Sequence, residues 1–223
     1  MEAKKKIIVF GTSDQGKHAI DIIHSHNKFE IVGFLDQKHA DFKDFEGYPV
    51  LGYLEHIPQI LQKHPDLHGF VVAIGDNFFR AKVYNEVLAK CQLTPIIAIH
   101  ASATVSETTQ IGQGTMITAG AIVNNHCTIG NNVFLGTKTS VDHDCVIEDH
   151  SSLLPGVTTG GRVIIGEMCA IGLGTNIIHG RKIGKNTVIG AGSTVIKDLP
   201  EGIVAYGSPA KEVRKREKND KYL

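Results

Sequence analysis

Between Ile99 and Val195 an aliphatic residue returns at every sixth position. The anchors are Ile99, Val105, Ile111, Ile117, Val123, Ile129, Leu135, Val141, Ile147, Leu153, Thr159, Ile165, Ile171, Ile177, Ile183, Ile189 and Val195. No insertion breaks the frame, and sixteen of the seventeen are Ile, Leu or Val. A helix would bring the apolar position back after about 3.6 residues and a lone strand after about two. One anchor per six residues suits a prism with three flat sides, each side being a short strand that buries one anchor. Three sides make a coil of eighteen residues, so the seventeen hexads predict between five and six coils, stacked at roughly 4.8 Å each.

The other hexad positions agree. With the anchor as position one, position two is Gly in eight hexads, among them Gly112, Gly130, Gly166 and Gly184. Position four is Gly, Asn or Asp in ten, including Gly114, Asn132, Asp144 and Gly192, types that tolerate the positive φ a sharp corner demands. Position five is mostly small (Ala103, Thr115, Ala121, Cys127, Cys145, Ser151 and Ser193), as the inside of a narrow prism requires, with Arg181 and Leu199 as exceptions. Cys127 and Cys145 fall one coil apart and are expected as stacked core thiols.

Before residue 99 the pattern differs. KKIIVFG reads as a strand ending at Gly11, AIDIIHSH (Ala19 to His26) as a helix that Ser13 or Asp14 caps, and FEIVGFLD as a strand ending at Asp36. A helix near Leu54 to Gln62, the strand GFVVAIG, a helix DNFFRAKVYNEVLAK capped by Asp76 and a short strand TPIIAI complete the series. Alternating strands and helices imply a parallel sheet covered by helices, with ligands bound beyond the carboxyl ends of the strands. Gly11, Asp36 and Gly75 sit at such ends. The expected divisions are residues 1–98, a Rossmann-like α/β domain; 99–200, a parallel β-helix; and 201–223, a loop and a helix formed by AKEVRKREK that caps one end of the prism. The N-terminal domain is expected to cover the other end.

Composition narrows the function classes. Lys+Arg and Asp+Glu are both 23, so no excess of positive charge points to nucleic acid or an anionic membrane. No apolar run approaches membrane-spanning length, and the apolar run of MEAKKKIIVFG is too short for a secretory signal. The four cysteines lack metal-ligand spacing and are too sparse for a disulfide scaffold, so the expectation is a cytoplasmic protein with reduced thiols and no metal. Gly11-x-x-x-x-Gly16-Lys17 approaches a phosphate-binding P-loop, but His18 stands where a Mg²⁺-holding hydroxyl belongs. Nucleotide hydrolysis is therefore disfavoured, although backbone N–H groups at this helix start suit a phosphate.

The hexads, the loop YGSPAK at Tyr206 to Lys211, GTSDQGKHAIDI, FLD at Asp36, AIGDNFFRAKVY and SVDHDCVI together resemble the sugar acyltransferases of the NeuD/PglD type. The resemblance spans essentially the whole chain. It implies a left-handed β-helix, acetyl-CoA as co-substrate, a nucleotide-sugar substrate and a homotrimer whose active sites lie between subunits. It also implies that Gly11, Ser13, Gly16, Asp36, Ile74 and Gly75 line the nucleotide pocket, with Gln15 standing where the family often has a histidine. His143 would be the general base and Asp144 its orienting carboxylate.

Stacking arithmetic adds an independent reason for His143. Gly161 lies one coil above it, leaving room for an acyl group and exposing an N–H to an oxyanion, and Asn125 lies one coil below as a substrate contact. Histidine suits the base role because it titrates near neutrality. His179, two coils above His143, is about 10 Å away by coil height, too far to share a metal with it. The family often carries a second histidine near the acetyl group, and its position here is Ser152, with His150 as a substitute. His126 reads as structural. Gly161, Ala170, Gly172, Gly190 and Ala191 offer small positions for the pantetheine arm, and Pro209 belongs to a loop that resembles one flanking the adenine. The leading expectation is acetylation of the 4-amino group of a UDP- or GDP-linked deoxy amino sugar. O-acetylation of a sugar hydroxyl such as a sialic acid, or a non-catalytic sugar-nucleotide-binding trimer, are the alternatives.

Overall fold

The computed structural model describes residues 3–38, 43–217 and 220. Four parallel strands form the N-terminal sheet: β1 (Lys5–Phe10), β2 (Phe29–Leu35), β3 (Leu67–Val72) and β4 (Thr94–Pro95), in the order β2-β1-β3-β4. Alternate residues of β1 feed two cores. Ile7 and Val9 meet Ala19, Ile22 and Ile23 of α1 (Asp14–His26), whereas Ile8 and Phe10 meet α2 (Ile57–Lys63) and Val83 and Val87 of α3 (Asn77–Lys90). A period of two along a strand buried on both faces places helices on both sides. Asp76 caps α3 as expected, its carboxylate accepting from Phe79 N at 2.8 Å, while Ser13 precedes α1 without a side-chain capping bond. The strand expected over TPIIAI divides, Thr94–Pro95 joining this sheet and Ala98–Ile99 opening the next.

From Ala98 the chain winds as a left-handed β-helix. Every one of the seventeen anchors ends a two-residue strand, and each of the first fourteen strands pairs in parallel with the one eighteen residues on, as Ile117 with Leu135 and Ile147 with Ile165. The first face carries the strands of Ile99, Ile117, Leu135, Leu153, Ile171 and Ile189; the second those of Val105 to Val195; the third those of Ile111 to Ile183. At position four, fourteen successive residues from Gly114 to Gly192 have positive φ. His126, Lys138, His150, Arg162 and Met168 are among them, so the corner geometry holds even side chains that resist it. Position two needs glycine for a different reason: a Cβ on Gly112 would sit 2.4 Å from the backbone of Gly130 in the next coil.

Position five is a hydrogen-bond ladder as well as a column of small residues. Thr115, Ser151 and Thr175 donate to the carbonyls of Gly130, Gly166 and Gly190, and Cys127 and Cys145 donate to those of Asp142 and Gly160. These groups satisfy corner carbonyls in the interior of the prism. All four cysteines are free thiols. Arg181 turns out of the prism, donating through Nε to the carbonyl of His179.

Two expectations about the ends are corrected. The tail forms a β-hairpin, Ile203–Gly207 with Ala210–Lys215, in place of a capping helix. The open edge of the last first-face strand takes Val204 and Ala205, which pair in parallel with Val188 and Ile189, and the charged segment Ala210–Lys215 pairs antiparallel with Ile203–Gly207 in its turn. The N-terminal domain lies along the side of the prism, not over its end. Its contacts run from Ala101, whose N–H is held by Ser25, up to Met168 and Cys169, whose carbonyls accept from Asn77. Met116, Phe134 and Leu154 share the core of α1, because the first face presents an apolar outer surface.

Candidate active site

The corner between the second and third faces carries SVDHDCVI. Asp142 Oδ1 accepts from Asn124 Nδ2 at 2.9 Å and from His143 N at 2.8 Å, which together hold its carboxyl below the usual range. Asp144 sits at the positive-φ position (φ 58°), and this kink turns its carboxylate back towards the preceding residue. His143 Nδ1 and Asp144 Oδ2 are 2.8 Å apart. The bond to Asp144, chiefly, raises the His143 pKa above the ordinary imidazole value, and it lowers that of Asp144 in turn. Arg162 Nε lies 3.8 Å from Asp144 Oδ2. The imidazole is partly open to solvent, with 39% of its side-chain surface exposed.

Gly161 is directly above, as the coil count requires, but the space it leaves is taken by the histidine itself. A Cβ on Gly161 would stand 2.5 Å from His143 Nε2 and Cε1. The expectation that this space receives the acyl group is corrected: the missing side chain lets the imidazole lie against the backbone of the next coil. No hydrogen-bond acceptor is found for the Gly161 N–H among the described residues. His179 is closer than its height implies, with ring centroids 6.2 Å apart, because His143 leans upward across Gly161.

A second feature, a cleft of about 360 Å³, opens at the carboxyl ends of β1, β2 and β3. Gly11, Ser13, Asp36 and Ile74 line it as expected. Gly11 has φ 109°, and a Cβ there would meet Ala73 O at 2.4 Å. Asp36 Oδ2 accepts from both N and Oγ1 of Thr12 at 2.8 Å, and Oδ1 accepts from Lys38 N, so this carboxylate ties the two loops at the cleft mouth together. Gly16 and Gly75 lie outside the cleft: Gly16 packs against Gly11 O and Phe45, and the Gly75 carbonyl accepts from Arg80. Asn125 is at the His143 corner, its carbonyl accepting from Asp144 N. Lys38, Tyr53, Phe79, Lys82 and Glu86 also line the cleft and were not expected. The last three lie three to four residues apart on α3, a helical-face signal present in the sequence.

The positions expected along acetyl-CoA do not form one surface within a single chain. Gly161 belongs to the His143 corner, whereas Gly172, Gly190 and Ala191 follow first-face anchors at the corner with the second face. Gly190 makes room for Tyr206, and Pro209 lies in the turn of the C-terminal hairpin. Ala170 and Ser152 are on the first face, both buried, and Ser152 Oγ accepts from Arg80 Nη2 at 2.9 Å. His150 cannot replace a histidine beside His143. It is buried at the opposite corner of the third face, edge-on to Tyr84 and 2.9 Å from Asn132 Nδ2, and burial lowers its pKa. His126 is exposed, with its N–H held by Thr108. Arg80 was missed altogether. Nearly fully buried, it donates to the carbonyls of Ile74, Gly75, Asn132, His150 and Ser151 and so joins the cleft floor to the prism. The described residues include no group of three or more metal-ligating side chains, and no helix among them is long and apolar enough to cross a membrane.

Two family models match separate parts of the chain. Residues 6–87 match the PglD N-terminal domain model and residues 126–161 the bacterial transferase hexapeptide model of six repeats. The structure of PerB from Caulobacter crescentus in complex with CoA and GDP-perosamine superposes with a TM-score of 0.87 at 32% identity, covering 95% of this chain and 98% of that one. The acetyltransferase domain of PglB from Neisseria gonorrhoeae FA1090 gives 0.85 at 29% identity, covering 94% and 100%. UDP-N-acetylbacillosamine N-acetyltransferase of Bacillus subtilis (strain 168) is 31% identical over 118 residues, and this match spans about half of each chain (52% of both).

Proposed function

The chain belongs to the NeuD/PglD-type family of sugar acyltransferases, and on that premise we propose that it moves the acetyl group of acetyl-CoA to the 4-amino group of a nucleotide-linked (UDP or GDP) deoxy amino sugar. One observation carries the reading. The His143 ring is fixed by Asp144 at Nδ1, which leaves Nε2 as its base nitrogen, partly open to solvent. The amine attacks the thioester carbonyl carbon and the C–N bond forms. His143 Nε2 takes the amine proton, the C–S bond breaks, and the leaving CoA thiolate takes that proton from the imidazolium, which restores the base. Asp144 holds the ring orientation and stabilises the imidazolium. The Gly161 N–H supplies a donor to the tetrahedral oxyanion, and Asn125 contacts the sugar from below.

The nucleotide occupies the cleft, whose volume lies within the usual range for small-molecule sites. Tyr53, Phe79 and Ile74 offer apolar walls, Lys38 and Lys82 the charge for a diphosphate, and the start of α1 its backbone N–H groups. No prism residue lines the cleft, and the N-terminal domain docks on the first face, away from the His143 corner. In this reading a second copy brings a cleft to each His143, and the separation of the two features supports a homotrimer with active sites between subunits. Ile122, Ile178 and Ile196, exposed along the second face and its edge, provide apolar surface for that contact. The Bacillus subtilis relative is an N-acetyltransferase and the PerB structure holds CoA and GDP-perosamine, which favours an amine over a sugar hydroxyl and catalysis over binding alone. We place the enzyme in the cytoplasm, in polysaccharide biosynthesis. The test is thiol release from acetyl-CoA across UDP- and GDP-linked 4-amino sugars and free sialic acid. Release with one of the nucleotide amino sugars supports the assignment; release only with the hydroxyl acceptor, or with none, refutes it.

A further inference from the structure

One hydrogen bond recurs along the whole prism. The N–H that follows an anchor donates to the carbonyl of the anchor one coil on, as Asn124 N to Val141 O and Gly160 N to Ile177 O. Fourteen anchors have another anchor one coil on, and thirteen of the N–H groups that follow them make this bond. The exception is Asp142, the residue before His143. Its N–H donates to the side-chain hydroxyl of Thr159 at 3.2 Å, in place of the Thr159 carbonyl. The strand pairing breaks at the same point: Ser140 pairs with Thr158, but Val141 and Thr159 do not pair. Thr159 is also the one anchor of the seventeen that is not Ile, Leu or Val. The break in the sequence rule and the break in the ladder coincide, one residue from the proposed base.

Stability does not call for a threonine here. Thr159 is buried in a column with Val141 and Ile177, where a hydroxyl must find partners to offset its lost hydration. It accepts from Asp142 N, and Cys145 Sγ lies 3.5 Å away, within reach of its proton. The Thr159 carbonyl meanwhile has no donor among the described residues. A valine would have the shape of threonine, match the other anchors and return the Asp142 N–H to that carbonyl, so that both backbone groups are paired. A local rule broken without gain to the fold marks a functional constraint.

The constraint reaches His143 through Asp142. Asp142 Oδ1 accepts from His143 N at 2.8 Å and from Asn124 Nδ2, one coil below, at 2.9 Å. Asp142 is thus fixed at its amide by the coil above and at its carboxylate by the coil below. Returning the amide to the ladder would turn this residue and carry His143 off its place over Gly161. We propose that Thr159 is a positioning residue for the general base: its hydroxyl holds the Asp142 N–H off the ladder, and the opened step lets the His143 imidazole lean upward across Gly161. The proposal rests on the assignment of His143 as the base.

The test replaces Thr159 by Val and by Ser. Each variant is taken through a thermal melt, steady-state transfer from acetyl-CoA to the preferred nucleotide amino sugar, and a crystal structure. Thr159→Val should melt no lower than wild type, with kcat down by about tenfold, a part of the roughly 10²-fold that a 1 Å misplacement costs. KM for acetyl-CoA and for the nucleotide sugar should stay unchanged, since Thr159 is buried inside the prism. In the valine structure Asp142 N should donate to the carbonyl of residue 159, with the His143 ring displaced from Gly161. Thr159→Ser keeps the hydroxyl and should keep most of the rate. Wild-type kcat in Thr159→Val, equal losses in the two variants, or a His143 ring that has not moved would overturn the proposal. So would a valine variant that melts lower than wild type, because the hydroxyl would then hold the fold. Wild type that transfers no acetyl group would defeat the base assignment instead, and the valine structure would still show whether Thr159 sets the ring.

Discussion

Replacing Gly161 by Ala should cut turnover by about 10²-fold without unfolding the protein. The added Cβ would lie 2.5 Å from His143 Nε2 and Cε1 and 2.9 Å from Cδ2. Carbon contacts settle near 3.5–4.0 Å, so the ring must retreat by about 1 Å. Among the described residues its ring hydrogen-bonds to the Asp144 carboxylate at 2.8 Å, and a retreat of that size strains or breaks the bond. A displacement of about 1 Å at a reacting group costs on the order of 10²-fold in rate. Stability should hardly change. The obstructing atoms belong to a half-exposed side chain that can swing aside, and Gly161 is not among the positive-φ glycines, so alanine fits its backbone. The loss of a flexible glycine from the unfolded chain adds about 0.4–1 kcal/mol in favour of folding. The assay is thiol release from acetyl-CoA under saturating nucleotide amino sugar, beside a thermal melt. Wild-type turnover in a normally folded Gly161→Ala protein would refute the idea that His143 works from its place over Gly161.

Two other expectations follow from the same geometry. Asp144→Asn removes the main cause of the raised His143 pKa, so the acidic limb of the kcat/KM–pH profile, where the base becomes protonated, should move to lower pH while the maximum rate falls; an unmoved limb would mean that another group titrates there. If cleft and base come from different subunits, co-assembling His143→Ala chains with Ser13→Trp chains, whose clefts are blocked, should restore about a quarter of the sites in an equal mixture. No recovery would place both within one chain.

Much of the prism was legible in the sequence, because each side buries one anchor and the coil repeats without insertion. The positions of His143, Gly161 and His179 along one stack follow from counting. Orientation within a level did not follow. Ser152 and His150 are only nine and seven residues from His143, yet they lie on another face and another corner, since six residues turn the chain through one side. Counting also could not foresee that His143 would lean over Gly161, a side-chain choice made by Asp144 and the open backbone. Long-range packing was hidden as well. The apolar outer row Met116 and Phe134 gave a sign that the first face is covered, but the docking of the N-terminal domain there depends on Arg80 and Asn77, polar residues that a helix pattern reads as solvent-facing. AKEVRK became a strand because Ile203–Gly207, itself held on the prism's last first-face strand, offered it an edge, which is a property of its surroundings and not of AKEVRK.

The most direct measurement is the turnover of His143→Ala with acetyl-CoA and the preferred nucleotide amino sugar, made on protein whose affinities for CoA and for the nucleotide have been measured separately. The account predicts a fall in kcat of about 10²–10⁴-fold with both affinities unchanged, the contribution of a general base that binds neither ligand tightly. Turnover near wild type would contradict it, since no other imidazole occupies the place that Asp144 and Gly161 define.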